Sequence, residues 1–160
     1  MHLAELPFVA MGPQPPFETA TLEKFVADPR IGTLSYVKRD GTAAPVPIWY
    51  RYQTGRFEMF TSKTSPKAKA LAREGKACLS IQDELPPYRA VIIDGKIDVT
   101  EVDPNDELNE WLALHYFGKL GGREFLKMTE EENAETGMMK VTLDPTRVRG
   151  FDNHQAIGPA

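Results

Sequence analysis

At 160 residues, with 41% hydrophobic and 26% charged residues, the chain is long enough for one globular domain to bury a core unaided. A formal net charge of -4 argues against nucleic acid or an anionic membrane as the main partner, since either would demand a basic excess. The single cysteine, Cys78, excludes a disulfide framework or a cysteine-based zinc site within one chain, and no stretch approaches the ~18 apolar residues of a membrane span.

Residues 1–6 lack the basic start and apolar run of a secretory signal, so a cytoplasmic protein is expected. Pro7, Pro13, Pro15 and Pro16 deny residues 1–18 a long regular element, and an extended segment over the surface is expected there. Thr19–Ala27 reads as a helix with Leu22, Phe25 and Val26 on one face, stopped by Asp28-Pro29. Strands follow over Gly32–Val37 and 42–52, flanking the hairpin signal Arg39-Asp40-Gly41. Thr54-Gly55 then turns the chain into Arg56–Ser62, which makes an antiparallel meander. A helix over 65–74 carries Ala68, Leu71 and Ala72 inward, and strands over Lys76–Gln82 and 90–100 flank a loop at 83–88. A second helical region holds Leu108, Trp111, Leu112, His115 and Tyr116, with breaks expected at Gly118 and at Gly121-Gly122. A third element runs from 123 towards 135, where Glu130-Glu131-Glu132 reads as a solvated run. Strands over 138–143 and 147–151 and a tail over 152–160 complete the chain. The fold class is mainly β with α (α+β): antiparallel strands closing into a small barrel, with peripheral helices.

The densest chemistry lies in Thr61-Ser62-Lys63-Thr64-Ser65-Pro66-Lys67-Ala68-Lys69, where a strand ends and a helix begins. Ser65 is an N-cap with proline after it, and the unpaired amides, hydroxyls and ammonium groups gathered there favour a phosphate ester. A plain capped helix with a solvated lysine face is the alternative on composition. Pro45 and Pro47 remove two amides from the same edge of one strand, which is therefore either an outer strand or the border of a ligand groove. Trp49 and Tyr50 point to opposite faces, so at most one of them stacks on a ligand in that groove. No dinucleotide fingerprint, phosphate-binding loop, nucleophile elbow or zinc-protease helix occurs. Of the three histidines, His115 sits among aromatic and apolar residues and reads as packed, whereas His154 lies in an otherwise unexplained polar tail.

The series Ile31-Gly32-Thr33-Leu34, Asp40-Gly41, Pro45-Val46-Pro47-Ile48-Trp49-Tyr50, Thr61-Ser62 with Ser65-x-Lys67-Ala68, and Pro87-Tyr88-Arg89 resembles the pyridoxamine 5'-phosphate oxidase-like split β-barrel superfamily. The likeness spans residues 19–151, with an extended segment over 1–18 before it and a tail over 152–160 after it. More closely, it resembles the flavin/deazaflavin oxidoreductase branch that uses coenzyme F-420, some relatives of which bind FMN. The resemblance implies an FMN-binding-like split barrel and a homodimer with two cofactor sites at the subunit interface. Carried over by position, Ser62, Lys63, Ser65 and Lys67 would hold the cofactor phosphate, and Pro47, Ile48 and Trp49 would line the ring. Tyr88 and Arg89 would approach from the partner subunit, and Lys69 would extend the positive surface, with Lys76 better read as solvated. The cofactor carries the chemistry in this reading, as a hydride transfer to or from a small organic substrate such as an activated double bond. Tyr50, Tyr88 and His154 are the candidate proton donors, His154 or Gln155 would cap the substrate pocket, and no metal is expected. FMN-dependent oxidation or reduction, or non-catalytic binding of a flavin, deazaflavin or haem, are the alternatives; the additional C-terminal motifs of a pyridoxamine phosphate oxidase proper are not seen.

Overall fold

The computed structural model describes residues 3–13 and 15–157; the expected tail continues beyond the described residues. After a short 3-10 turn at Leu3–Glu5, the chain forms β1 (Phe8–Ala10), α1 (Thr19–Ala27), β2 (Gly32–Val37), β3 (Ala43–Ile48), β4 (Arg51–Gln53) and β5 (Arg56–Ser62). Then come α2 (Pro66–Glu74), β6 (Lys76–Gln82), β7 (Arg89–Val102), α3 (Glu107–Thr136), β8 (Met138–Asp152) and α4 (His154–Ile157). The strands make one 8-stranded sheet in the order β3-β2-β6-β7-β8-β5-β4, with β1 paired in parallel to β8. All other pairings are antiparallel, and the sheet curls into a barrel split between β3 and β4.

Alternation builds the core. Phe57, Met59 and Thr61 of β5 point inward, as do Leu79 and Ile81 of β6, Val91 and Ile93 of β7, and Val141, Leu143 and Val148 of β8. From α1, Leu22, Phe25 and Val26 close one end of the barrel, as their helical spacing predicts. Several expectations change. The N-terminal segment does not merely wrap the surface: β1 is a sheet strand, and Leu3 and Phe17 are buried in the core. The expected strand over 42–52 is interrupted at Trp49-Tyr50, so β3 is an edge strand and β5 pairs with β8 instead of continuing a meander. Residues 138–152 form one strand, its ladder shifted where Gly95 faces Pro145 rather than ended there. In α2, Ala70 rather than Ala72 joins Ala68 and Leu71 on the buried side.

α3 breaks at Gly118, whose φ of 75° is outside the helical range, but not at Gly121-Gly122. A first limb (107–117) and a second (119–136) fold back on one another. Their crossing is tight: a Cβ on Gly122 would lie 2.7 Å from the Ala113 carbonyl oxygen. No helix among the described residues is long and apolar enough to cross a membrane.

Candidate active site

The β5–α2 junction has the expected local structure and uses most of its donors internally. Ser65 adopts an extended N-cap conformation, and its Oγ accepts from the Ala68 amide at 3.1 Å. The Ser65 amide donates to the Ser62 carbonyl, the Thr64 amide to Ser62 Oγ, and the Lys69 amide to the Ser65 carbonyl. Lys63 is drawn away from the junction: its amide donates to the Gly137 carbonyl and its Nζ lies 2.8 Å from Glu101 Oε2. Lys69 is exposed on the solvent side of α2. Of the expected clamp, the structure therefore brings Ser62 and Lys67 to one cavity, while Lys63, Ser65 and Lys69 serve other roles. Lys67 is half-buried with no carboxylate paired to it among the described residues, and burial holds its ammonium below the ordinary lysine value.

That cavity, of about 430 Å³, opens against the seam of the barrel. This is within the span of small-molecule sites, about 300–1,000 Å³. Its barrel wall is Pro47, Ile48 and Trp49 from the β3 edge, with Phe60, Thr61 and Ser62 from β5. Pro45 and Pro47 stand opposite Ser35 and Thr33 in the β2–β3 ladder, and β3 has no strand on its other side. β3 is thus an outer strand, the first of the two explanations for the paired prolines, and the same edge borders the cavity.

Trp49 and Tyr50 do face opposite ways. Trp49 lines the cavity; Tyr116 stacks on it with ring centroids 5.0 Å apart and planes 5° from parallel, and Phe117 and Phe125 flank it at 5.0 and 5.1 Å. Tyr50 goes into the core against Phe57, where burial raises the pKa of its phenol and its hydroxyl meets no hydrogen-bond partner among the described residues. It does not reach the cavity. Tyr116 also mends the seam. Its hydroxyl accepts from the Tyr50 amide at 3.1 Å and donates to the Arg30 carbonyl at 2.8 Å, pairing backbone groups that the split leaves without strand neighbours.

Tyr88, Arg89 and His154 stand at a different place. Arg89 Nε donates to Asp83 Oδ2 at 2.7 Å, Arg30 reaches the other oxygen of the same carboxylate at 3.2 Å, and both guanidinium groups lie over the Phe25 ring. His154 Nε2 is 3.7 Å from Asp83, and Tyr88 is exposed, its carbonyl accepting from the Asn153 amide. Gln155 donates to the Pro16 carbonyl. Within one chain, the three residues therefore belong to a charged cluster that ties the 83–88 loop to the tail. His115 stacks on Trp111 at 4.3 Å, and burial lowers its pKa, as a packed histidine's should be.

Sequence reasoning missed the opposite wall. It comes from α3: Asn109 and Leu112 on the first limb, and Phe125, Thr129, Glu132 and Asn133 on the second. The spacing 125, 129, 132, 133 is a helical face, and this was the available signal, hidden behind an acidic run that also reads as solvated.

A barrel split at an edge strand, with a largely apolar cavity of small-molecule size at the seam and, among the described residues, a cation without a carboxylate partner at a helix start, defines the class as a split β-barrel. The pyridoxamine 5'-phosphate oxidase family profile matches residues 19–150, and the chain belongs to that family. Among solved structures it is similar to the conserved hypothetical protein Rv2991 from Mycobacterium tuberculosis, with a TM-score of 0.70 and 21% identity over 90% of each chain. It is also similar to an F420 reductase, with a TM-score of 0.66 and 21% identity over 79% of this chain and 94% of that one. A third likeness is to the haem storage protein HutZ from Vibrio cholerae, with a TM-score of 0.59 and 12% identity over 81% of this chain and 91% of that one. These likenesses establish the fold. No curated protein matches the chain.

Proposed function

We propose that the protein is an oxidoreductase dependent on the deazaflavin coenzyme F-420, acting on a small organic substrate such as an activated double bond. The observation that carries this reading is Lys67: a half-buried ammonium with no carboxylate partner among the described residues, in a largely apolar cavity that Ser62 also lines. Burying such a cation without a partner is unfavourable, and a phosphate ester would relieve the cost. The residues present fit the group. Lys67 and Ser62 would hold the phosphate, and Pro47, Ile48 and Trp49 would lie along the ring. Bound and reduced, a deazaflavin supplies a hydride. The protein's own part is to orient, to neutralise charge and to keep water from the apolar wall.

The F420 reductase among the fold relatives supports the choice of cofactor, and FMN, which would use the same clamp, is the second reading. A haem reading finds less support, because the cavity's lining includes no histidine or cysteine among the described residues. We further propose a cytoplasmic homodimer, in which the exposed Ile31, Leu85 and Tyr88 are covered by a second copy and Tyr88 and Arg89 approach the partner's cofactor. Sedimentation velocity tests the dimer, and a monomer at micromolar concentration rejects it.

The deciding experiment titrates the purified protein with F-420 and with FMN in parallel, following thermal shift and Trp fluorescence, and repeats both with Lys67→Ala. Tight F-420 binding, weakened at least tenfold by the substitution, is expected. Preference for FMN would move the assignment to flavin chemistry, and binding of neither would reject the cofactor reading.

A further inference from the structure

The two walls of the seam cavity differ in kind. The only cation among its lining residues, Lys67, is on the barrel side, and the only anion, Glu132, is on the α3 side. Glu132 has no ion pair among the described residues and sits at the exposed rim. Beside it, Asn133 is half-buried: its backbone carbonyl accepts from the Gly137 amide, while its side-chain amide has no hydrogen-bond partner among the described residues. The neighbouring polar groups are already engaged. Thr129 Oγ1 donates to the Phe125 carbonyl at 3.0 Å, and Asn109 Nδ2 donates to the Pro104 carbonyl at 3.2 Å. Asn133 is thus the donor on this wall left without a protein partner among the described residues; its amide is open to solvent, and an acceptor atom on a bound molecule would take the place of that water. Phe125, one helical turn pair before it, supplies an aromatic surface close to Trp49.

We propose that the face Phe125–Thr129–Asn133 of α3 is the recognition wall for the protein's small-molecule substrate. It takes an uncharged, planar compound bearing a carbonyl group. Phe125 lies against the flat part, Asn133 donates a hydrogen bond to the carbonyl oxygen, and Glu132 turns away carboxylates by like-charge repulsion. The inference rests on the proposed function only in assigning the barrel wall to the cofactor; the chemistry of the α3 wall stands on its own contacts.

The test uses a matched pair of one shape, 2-acetonaphthone and 2-naphthoate, titrated into the full chain with and without saturating F-420, with Trp fluorescence and calorimetry as readouts. The ketone is expected to bind at least tenfold more tightly than the carboxylate. Asn133→Asp, an isostere that loses the donor, should weaken the ketone at least tenfold. Glu132→Gln should bring the carboxylate to within about threefold of the ketone, the like charge being removed. Thermal unfolding of each variant shows whether it is folded, and a folded pair that leaves both affinities unchanged overturns the proposal. So does a failure of the ketone to bind, or tighter binding of the carboxylate that Lys67→Ala abolishes. Selective ketone binding that depends on Asn133, in a protein that binds neither F-420 nor FMN, would uphold the recognition wall while rejecting the cofactor reading.

Discussion

Tyr116 does two jobs with one side chain: its ring stacks on Trp49 and its hydroxyl joins the Tyr50 amide, just after β3, to the Arg30 carbonyl in the α1–β2 connection. Tyr116→Phe keeps the stack and orphans both backbone groups, so a loss of about 1–3 kcal/mol in urea unfolding is expected, against near-neutrality if water replaces the hydroxyl. Cys78 gives a pH test. Burial, then a hydrogen bond and charge from Asp94, push its thiol up to about 11 from an ordinary 9.0. The thiolate is the reactive form, so iodoacetamide should label the native protein slowly at pH 8 and faster only towards pH 11, while the urea-unfolded chain labels readily near pH 9. Because the folded state holds this proton more tightly, stability falls as pH rises through that interval; the protonated thiol's contribution is intact below it. A serine at this position removes the share of the slope that Cys78 contributes, so the stability lost between pH 8 and pH 10.5 should be smaller in that variant than in wild type, as unfolding curves at the two pH values would show.

α3 is where local pattern and tertiary role part company. Its first limb is anchored by a buried guanidinium: Arg51 donates to Glu107 at 2.8 Å and to Glu58 at 3.2 Å, and lies over the Trp111 ring. The second limb buries little beyond Gly122, and it leaves Leu120 and Met128 exposed. Gly122→Ala should therefore be costly despite alanine's better helix propensity. That propensity is worth about 1 kcal/mol at most, whereas the new methyl meets the Ala113 carbonyl and forces the limbs apart. A net loss of about 1–3 kcal/mol is expected, as for overpacked cores, together with weaker ligand binding as the α3 wall recedes; unaltered ligand affinity would show that the wall does not depend on the crossing. The bounds of α1, β2, β5 and β6 were legible because period and punctuation agree there, with Asp28-Pro29, Asp40-Gly41 and Gly55 as markers. The seam was half legible through Pro45 and Pro47. The α3 wall was not, because Gly121-Gly122 reads as a break when it is in fact a close crossing, and helix packing of that kind leaves no local trace. Nor does the capture of Lys63 by Glu101, since it depends on strands brought together only in the folded barrel; the Arg89–Asp83 pair, by contrast, spans the turn of the local β6–β7 hairpin.

Across the whole molecule, one carboxylate joins distant parts of the chain. Burial disfavours the charged form of Asp83, but hydrogen bonds and charge from Arg89 and Arg30 outweigh it, so its pKa is held below the ordinary carboxylate value. The stability it provides is present above that ordinary value and lost as pH falls through the lower folded one. Asp83→Asn leaves two guanidinium groups facing each other and should cost about 2–3 kcal/mol at pH 7, the difference from wild type narrowing at acid pH; a constant difference from pH 7 to pH 3 would contradict the assignment. A saturating cofactor acts on the same balance: at 100 times its dissociation constant it adds about 2.7 kcal/mol, or about 5–11 °C in Tm for a domain of this size. The parallel pairing of β1 with β8 places Phe8 beside Val148. β1 is synthesised about 140 residues before the part of β8 that it pairs with, and its backbone has to wait for that stretch before it finds its strand partner. While translation continues, Leu3 and Phe17 have no completed barrel to enter. Closure of this barrel accordingly cannot precede the synthesis of residue 148 and is slowed by the long chain between the two paired segments, and nascent chains stalled before residue 148 should remain sensitive to protease.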